Sequence, residues 1–124
     1  MPSILLVADE SWVVTDVMAA LADTRYQVTV TADPRAVVAA TQDSLPDVVL
    51  VDLQVGSMGG MAVTRAVRDA FAVAKTQAPP VVLLLDRDAD AFLAGRSGAV
   101  SWVRKPFGSA ELREAIEHGV GLRK

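Results

Sequence analysis

Pro46-Asp47-Val48-Val49-Leu50-Val51-Asp52, followed by Leu53-Gln54-Val55-Gly56-Ser57-Met58-Gly59-Gly60, is the stretch on which the reading of this chain turns. Val48 to Val51 is an unbroken apolar and mostly β-branched run, which suits a strand buried on both faces of a parallel sheet. Asp52 stands where that run gives way to a glycine-rich loop. In an open α/β sheet, ligands bind in the crevice beyond the carboxyl ends of the strands. A carboxylate at that point has a rigid platform beneath it and a movable loop beside it. The plainer alternative is that Asp52 ends the strand or caps the helix that follows.

Outward from this strand, apolar spacing supplies the other elements. Ile4-Leu5-Leu6-Val7 is an apolar run that ends in Ala8-Asp9-Glu10. Val13, Val14, Val17, Met18 and Leu21 then recur at helical spacing, predicting an amphipathic helix over 11–23 that starts near Glu10 or Ser11, with Asp16 and Asp23 on its polar side. Tyr26 to Thr31 alternates and is rich in β-branched residues, as a strand would be. Asp33-Pro34 offers an N-cap oxygen and a proline suited to the first helical position, so a helix is expected from about 34 to 43.

Beyond the glycine loop, Val63, Ala66, Val67, Ala70, Phe71 and Ala74 mark one face of a longer helix that Pro79-Pro80 stops. Val81 to Leu85 is another wholly apolar run and again meets a carboxylate, Asp86. A short helix with Ala91, Phe92, Leu93 and Ala94 is expected to run to Gly95 or Gly98, and a last strand to cover 99–103. Leu112, Ala115, Ile116 and Val120 define a final helix, with Glu111 early and Arg123-Lys124 late, as the helix dipole favours. Strand and helix thus alternate five times, which implies a parallel sheet with helices on both faces. Residues 1–124 read as one domain, with no linker and no second core.

Composition narrows the function. No apolar run approaches the roughly 18 residues needed to span a bilayer, and no basic, signal-like segment precedes Ile4, so a cytoplasmic protein without membrane insertion is expected. The absence of cysteine removes disulfides, thiolate metal sites and cysteine nucleophiles. A net charge of −3 leaves no footprint for nucleic acid. His118 is the single histidine, which excludes a multi-histidine metal site and reads as a helix-end residue.

Asp9, Asp52 and Asp86 each lie at the carboxyl end of a predicted strand, and Lys105 follows the fifth strand in Arg104-Lys105-Pro106-Phe107. The topology gathers these ends on one edge of the sheet. Clustered carboxylates suit a hard divalent cation such as Mg²⁺, and a lysine beside them can hold an oxyanion. Together they suit phosphoryl transfer to an aspartate.

Over essentially its whole length the sequence resembles the receiver domain of bacterial two-component response regulators. The resemblance is carried by Ile4-Leu5-Leu6-Val7-Ala8-Asp9-Glu10, by Pro46 to Leu53 with Gly60 eight residues after Asp52, and by Gly98-Ala99 leading to Lys105-Pro106-Phe107. It implies a flavodoxin-like (βα)5 fold, a doubly wound five-stranded parallel sheet in the order 2-1-3-4-5. It also implies that Asp52 accepts a phosphoryl group from a sensor histidine kinase or phosphotransfer protein. Mg²⁺ would be held by Asp9, Asp52 and the backbone carbonyl of Gln54. Lys105 would bind a phosphoryl oxygen, and its bond to Pro106 is often cis in such domains. The protein would be a signalling phosphoacceptor rather than an enzyme, without an output domain, a monomer or weak homodimer acting through an effector protein.

Four departures accompany the resemblance. Receivers carry two adjacent acidic residues after the first strand, and here the first of that pair is Ala8, which should weaken Mg²⁺ binding. The fourth strand of receivers ends in Thr or Ser, whereas Leu85-Asp86-Arg87 stands here, and Asp86 would repel a phosphoryl group unless Arg87 or the metal offsets it. Gly56 replaces the usual proline and loosens the loop. Trp102 takes the place of the switch aromatic, with simple packing against the last helix as the alternative. Met58 and Met61 read as packing residues. These departures sustain a second reading, a phosphorylation-independent pseudo-receiver acting as a protein-interaction module. A third, a flavin or cobalamin domain, would want a phosphate-cradling loop after the first strand or a histidine near the glycine loop, and the chain has neither.

Overall fold

Leu50, at the middle of the central strand, is completely buried, and so is every other residue of that strand, as its run of apolar residues requires. The computed structural model describes residues 2–22, 25–56 and 58–123, without the side chains of 122 and 123; Asp23, Ser57 and Lys124, named above, lie outside the described residues. The elements are β1 (Ser3–Val7), α1 (Ser11–Ala20), β2 (Gln27–Thr31), a 3-10 turn at Pro34–Ala36, α2 (Val37–Asp43), β3 (Val48–Asp52), α3 (Gly60–Val73), β4 (Val81–Leu85), a 3-10 turn at Asp88–Asp90, α4 (Ala91–Ser97), β5 (Ser101–Arg104) and α5 (Ser109–Arg123). All strand pairs are parallel, in the order β2-β1-β3-β4-β5. This is the flavodoxin-like arrangement that the resemblance to receiver domains implies.

Side-chain alternation splits the core into two layers. Ile4, Leu6, Val48, Leu50, Val82 and Leu84 pack with Val13, Val17 and Leu21 near α1 and with Leu112, Ala115 and Ile116 of α5. On the opposite face, Val7, Val49, Val51, Val81, Leu83 and Leu85 pack with Val37 of α2, Val63, Val67 and Phe71 of α3, and Ala94 of α4. Val13, Val17 and Leu21 carry the apolar face of α1 as expected, but Met18 is exposed.

Local chemistry sets several element ends. Asp33 accepts a hydrogen bond from the Arg35 amide at 2.9 Å, so the predicted cap is real. The helix it was expected to open starts instead as a 3-10 turn and becomes α-helical only at Val37. The residue at the start of α1, Glu10, makes no side-chain capping bond. Gly98 ends α4 in the left-handed conformation (φ 99°) that glycine adopts without penalty, the second of the two expected stops. At the opposite edge of the sheet from the strand carboxyl ends, the Asp47 carboxylate accepts from the Ser3 amide at 2.7 Å, and the Asp47 amide donates to the Ser3 carbonyl at 2.9 Å. That reciprocal pair fixes the start of β3 against the start of β1.

Candidate functional site

Three neighbouring strands aim their ends at one point. Asp52 is the last residue of β3, two beyond Leu50 and therefore on the same face. It pairs in register with Leu84, and Leu84 with Val103. Two residues further along β4 and β5 the same alternation brings Asp86 and Lys105 to that face. The Lys105 ammonium lies 2.5 Å from Asp52 Oδ1 and 2.9 Å from Asp86 Oδ1. The sequence placed these three residues at one edge, and the structure brings them into direct contact.

The cluster is largely shut off from water. Asp52 is completely buried, the Lys105 side chain is 4% exposed and that of Asp86 33%. The Gln54 amide also donates to Asp52 Oδ1, at 3.3 Å. Asp52 Oδ2 and Asp86 Oδ2 are buried and accept no hydrogen bond among the described residues. Burial pushes the Lys105 ammonium towards deprotonation, but its hydrogen bonds to Asp52 and Asp86, together with their charges, outweigh that and hold its pKa above the ordinary lysine value. One cation is thus shared between two carboxylates, each with an oxygen to spare.

The loops around the cluster are fitted to it. Asp9, exposed at the end of β1, accepts from the Gly56 amide at 2.8 Å and so joins the first loop to the third. Gly56 has φ 52°, and a Cβ there would come within 3.0 Å of the Pro34 ring, so both conformation and space favour glycine. A Cβ on Gly60 would stand 2.8 Å from the Asp52 carbonyl oxygen, which explains glycine at the start of α3. Ala8 is 1% exposed and belongs to the core layer beneath α1, so it packs and offers no oxygen. The Lys105–Pro106 peptide bond is cis.

Some expectations need correcting. Arg87 does not offset Asp86: its guanidinium pairs with Asp90 at 3.0 Å, and the cation beside Asp86 is Lys105. Met58 is exposed rather than packed, whereas Met61 does pack against the core. Trp102 is 37% exposed, and its ring lies against Gly95 of α4, where a Cβ would be 3.3 Å away. The same residue lines a surface cavity together with Glu111, Ala115 and His118 of α5.

One neighbour escaped the sequence reading. Trp12, half exposed on the first turn of α1, places its ring centroid 5.4 Å from the Lys105 ammonium, a cation–π contact. Its only sequence signal is position, three residues after Asp9 on the helix that leaves the same sheet edge.

For a divalent cation, the buried and unpaired Asp52 Oδ2 is a ready ligand. Asp9, held to the Gly56 amide, is a further carboxylate at this edge of the sheet, and backbone carbonyls such as that of Gln54 are the remaining oxygen source. No cluster of three or more histidine, cysteine or acidic side chains suited to a metal occurs among the described residues. The donor set fits a cation of low affinity. No helix among the described residues is long and apolar enough to cross a membrane.

Known proteins share the family pattern of this sequence and its fold. A family model of the response regulator receiver domain matches residues 4–117. The sensory transduction protein RegX3 of Mycolicibacterium smegmatis is 30% identical over 114 residues, 90% of this chain, and the chain spans about half (47%) of that relative's length. A crystal structure of a response regulator from Chloroflexus aurantiacus is similar with a TM-score of 0.86 at 20% identity, covering 98% of this chain and 99% of the other. The receiver domain of a sensor histidine kinase from Pseudomonas aeruginosa, with a magnesium ion coordinated in its active-site cleft, is similar with a TM-score of 0.81 at 26% identity, covering 97% and 98% of the two chains.

Proposed function

The chain belongs to the response regulator receiver domain family, and from that premise we propose that it accepts a phosphoryl group on Asp52 and passes the signal to a protein partner. The observation that carries this reading is the buried Asp52–Lys105 pair, in which Asp52 keeps one oxygen unpaired. An Asp52 oxygen attacks phosphorus, the bond from phosphorus to the donor imidazole of a histidine kinase or phosphotransfer protein breaks, and its electron pair leaves with the imidazole. Lys105 supplies a fixed positive charge where phosphoryl oxygens arrive. Asp9, Asp52 and the Gln54 carbonyl would hold Mg²⁺, which neutralises phosphoryl charge when bound. Less negative charge would face the cation than in a receiver with two acidic residues after β1, because Ala8 provides no ligand.

An effector would dock on α4, β5 and α5. Phe92 (70% exposed) and Leu93 (52%) of α4 and Trp102 of β5 give that face apolar contact area, with Arg87, Arg96 and Arg104 around it. Taken singly, those arginines are no more than a solvated rim; Arg96 stacks on Phe92 at 5.8 Å.

The pseudo-receiver reading draws on one specific observation, the engagement of Lys105 by two carboxylates. Intact-protein mass spectrometry after incubation with Mg²⁺ and acetyl phosphate separates the two readings. One added phosphoryl group in the wild type and none in Asp52→Asn is the expected result. No addition, under conditions that label an ordinary receiver, would replace phosphoacceptance with constitutive binding.

A further inference from the structure

We propose that Asp86 is an internal competitor for Lys105: a positioning residue whose carboxylate occupies the ammonium that an incoming phosphoryl oxygen must reach, and so limits how readily Asp52 is modified. The inference rests on the phosphoacceptor reading above.

An ammonium has three donors. At Lys105, Asp52 Oδ1 and Asp86 Oδ1 take two of them, and the Trp12 ring covers the group at 5.4 Å. The side chain is 4% exposed, so no open approach to the charge remains. A phosphoryl oxygen gains Lys105 only by displacing a neighbour. Asp52 is the acceptor itself and completely buried, whereas Asp86 keeps a third of its side chain in water and can swing out. Asp86 is the movable arm of the clamp.

Its charge makes the exchange costly in two ways. A carboxylate–ammonium hydrogen bond is about twice as strong as a neutral one, so Asp86 holds Lys105 more firmly than a hydroxyl at this position would. Once displaced, Asp86 faces a phosphoryl dianion with no other cationic side chain among the described residues paired to it. Arg87 is paired with Asp90 and Arg104 lies 3.5 Å from Asp88. The strand register that places Asp86 two residues beyond the partner of Asp52 keeps this repulsion at short range.

The test follows phosphoryl uptake from acetyl phosphate with Mg²⁺ in the wild type, Asp86→Asn and Asp86→Thr, by intact mass. In this reaction an Asp52 oxygen bonds to phosphorus, the bond from phosphorus to the acetyl oxygen breaks, and acetate leaves with the electron pair. Both variants are expected to be labelled roughly 10-fold faster or more, the scale of releasing one hydrogen bond to a charged group. Asp86→Asn keeps the shape and removes the charge, so a gain confined to Asp86→Thr would overturn competition by charge. The gain is also expected to vanish in a Lys105→Met background; a gain that persists there would show that Asp86 acts without Lys105 and overturn the proposal. Equal labelling of wild type and variants would refute the inference and leave Asp52 as acceptor. No labelling of any of them would refute both, since removing Asp86 would not have opened the site. A second readout uses Trp12 emission in a Trp102→Phe background, titrated with beryllofluoride and Mg²⁺. The midpoint is expected at a lower concentration, by about 10-fold, when Asp86 is Asn, and an unchanged midpoint would count against the proposal.

Discussion

Replacing Lys105 by Met removes the one cation that the buried Asp52 and the partly exposed Asp86 share, and the cost can be worked from the geometry. Asp52 is completely buried and its bond to Lys105 is 2.5 Å long; after the substitution only the Gln54 amide, at 3.3 Å, would still serve it. Breaking a buried ion pair by removing one partner costs about 3–5 kcal/mol, because the remaining charge is left uncompensated. Asp86, a third exposed, adds less, since water screens it. An upper limit comes from protonation. A buried carboxylate can always take up a proton instead, and at ~1.4 kcal/mol per pH unit above an ordinary aspartate value of about 3.9, that escape costs about 4 kcal/mol at pH 7 but only about 1.5 kcal/mol at pH 5. In the wild type Lys105 is held above the ordinary lysine value, so its charge is complete at both pH values and the whole pH dependence belongs to the variant. Lys105→Met is therefore expected to lose about 3–4 kcal/mol at pH 7 and about 1.5 kcal/mol at pH 5. Urea unfolding followed by far-UV circular dichroism in metal-free buffer measures both. A loss under about 1 kcal/mol at pH 7, or the same loss at both pH values, would refute the picture of an uncompensated buried charge.

Two further substitutions probe the walls of the site. Gly60→Ala forces the Asp52 carbonyl and its own new methyl apart from 2.8 Å, and is expected to cost about 1–3 kcal/mol and slow phosphoryl uptake; an unchanged unfolding midpoint would mean that the close approach is relaxed in solution. Ala8→Asp puts a carboxylate into a position 1% exposed, so it is expected to lower metal-free stability by about 1–3 kcal/mol while tightening Mg²⁺ binding in a fluorescence titration. Destabilisation without tighter binding would show that the new carboxylate does not reach the metal.

What the sequence made legible was whatever alternation and boundaries encode. Val48 to Asp52 and Val81 to Asp86 are unbroken apolar runs closed by a carboxylate, and they specify both a doubly covered sheet and the edge where its charges meet. The contact of Asp86 with Lys105 was not legible, because it depends on the register between β4 and β5 rather than on spacing along the chain. Arg87, next to Asp86 in sequence, looked like its partner, yet neighbours on a strand end point to opposite sides and Arg87 turned to Asp90. Trp12 was hidden for a similar reason: its role comes from the approach of its ring to the Lys105 ammonium across the sheet edge, which no periodicity reveals. Met18, placed on the apolar face of α1 by helical spacing, and Met58, read as a packing residue, are both exposed, as single apolar residues commonly are.

The pairing of the sheet also divides the molecule by how long its amide protons last. β3 lies between β1 and β4 with every residue buried, so its amides are expected to exchange only through large-scale opening of the domain. β2 is an edge strand bonded on one side only, mostly exposed, with Val30 left 41% in contact with water. Partial openings that release β2 alone therefore need far less free energy than those that reach β3. Asp52 stands at the end of a fully buried inner strand, so the message of its modification is expected to leave through side chains and loops while the backbone beneath it stays closed.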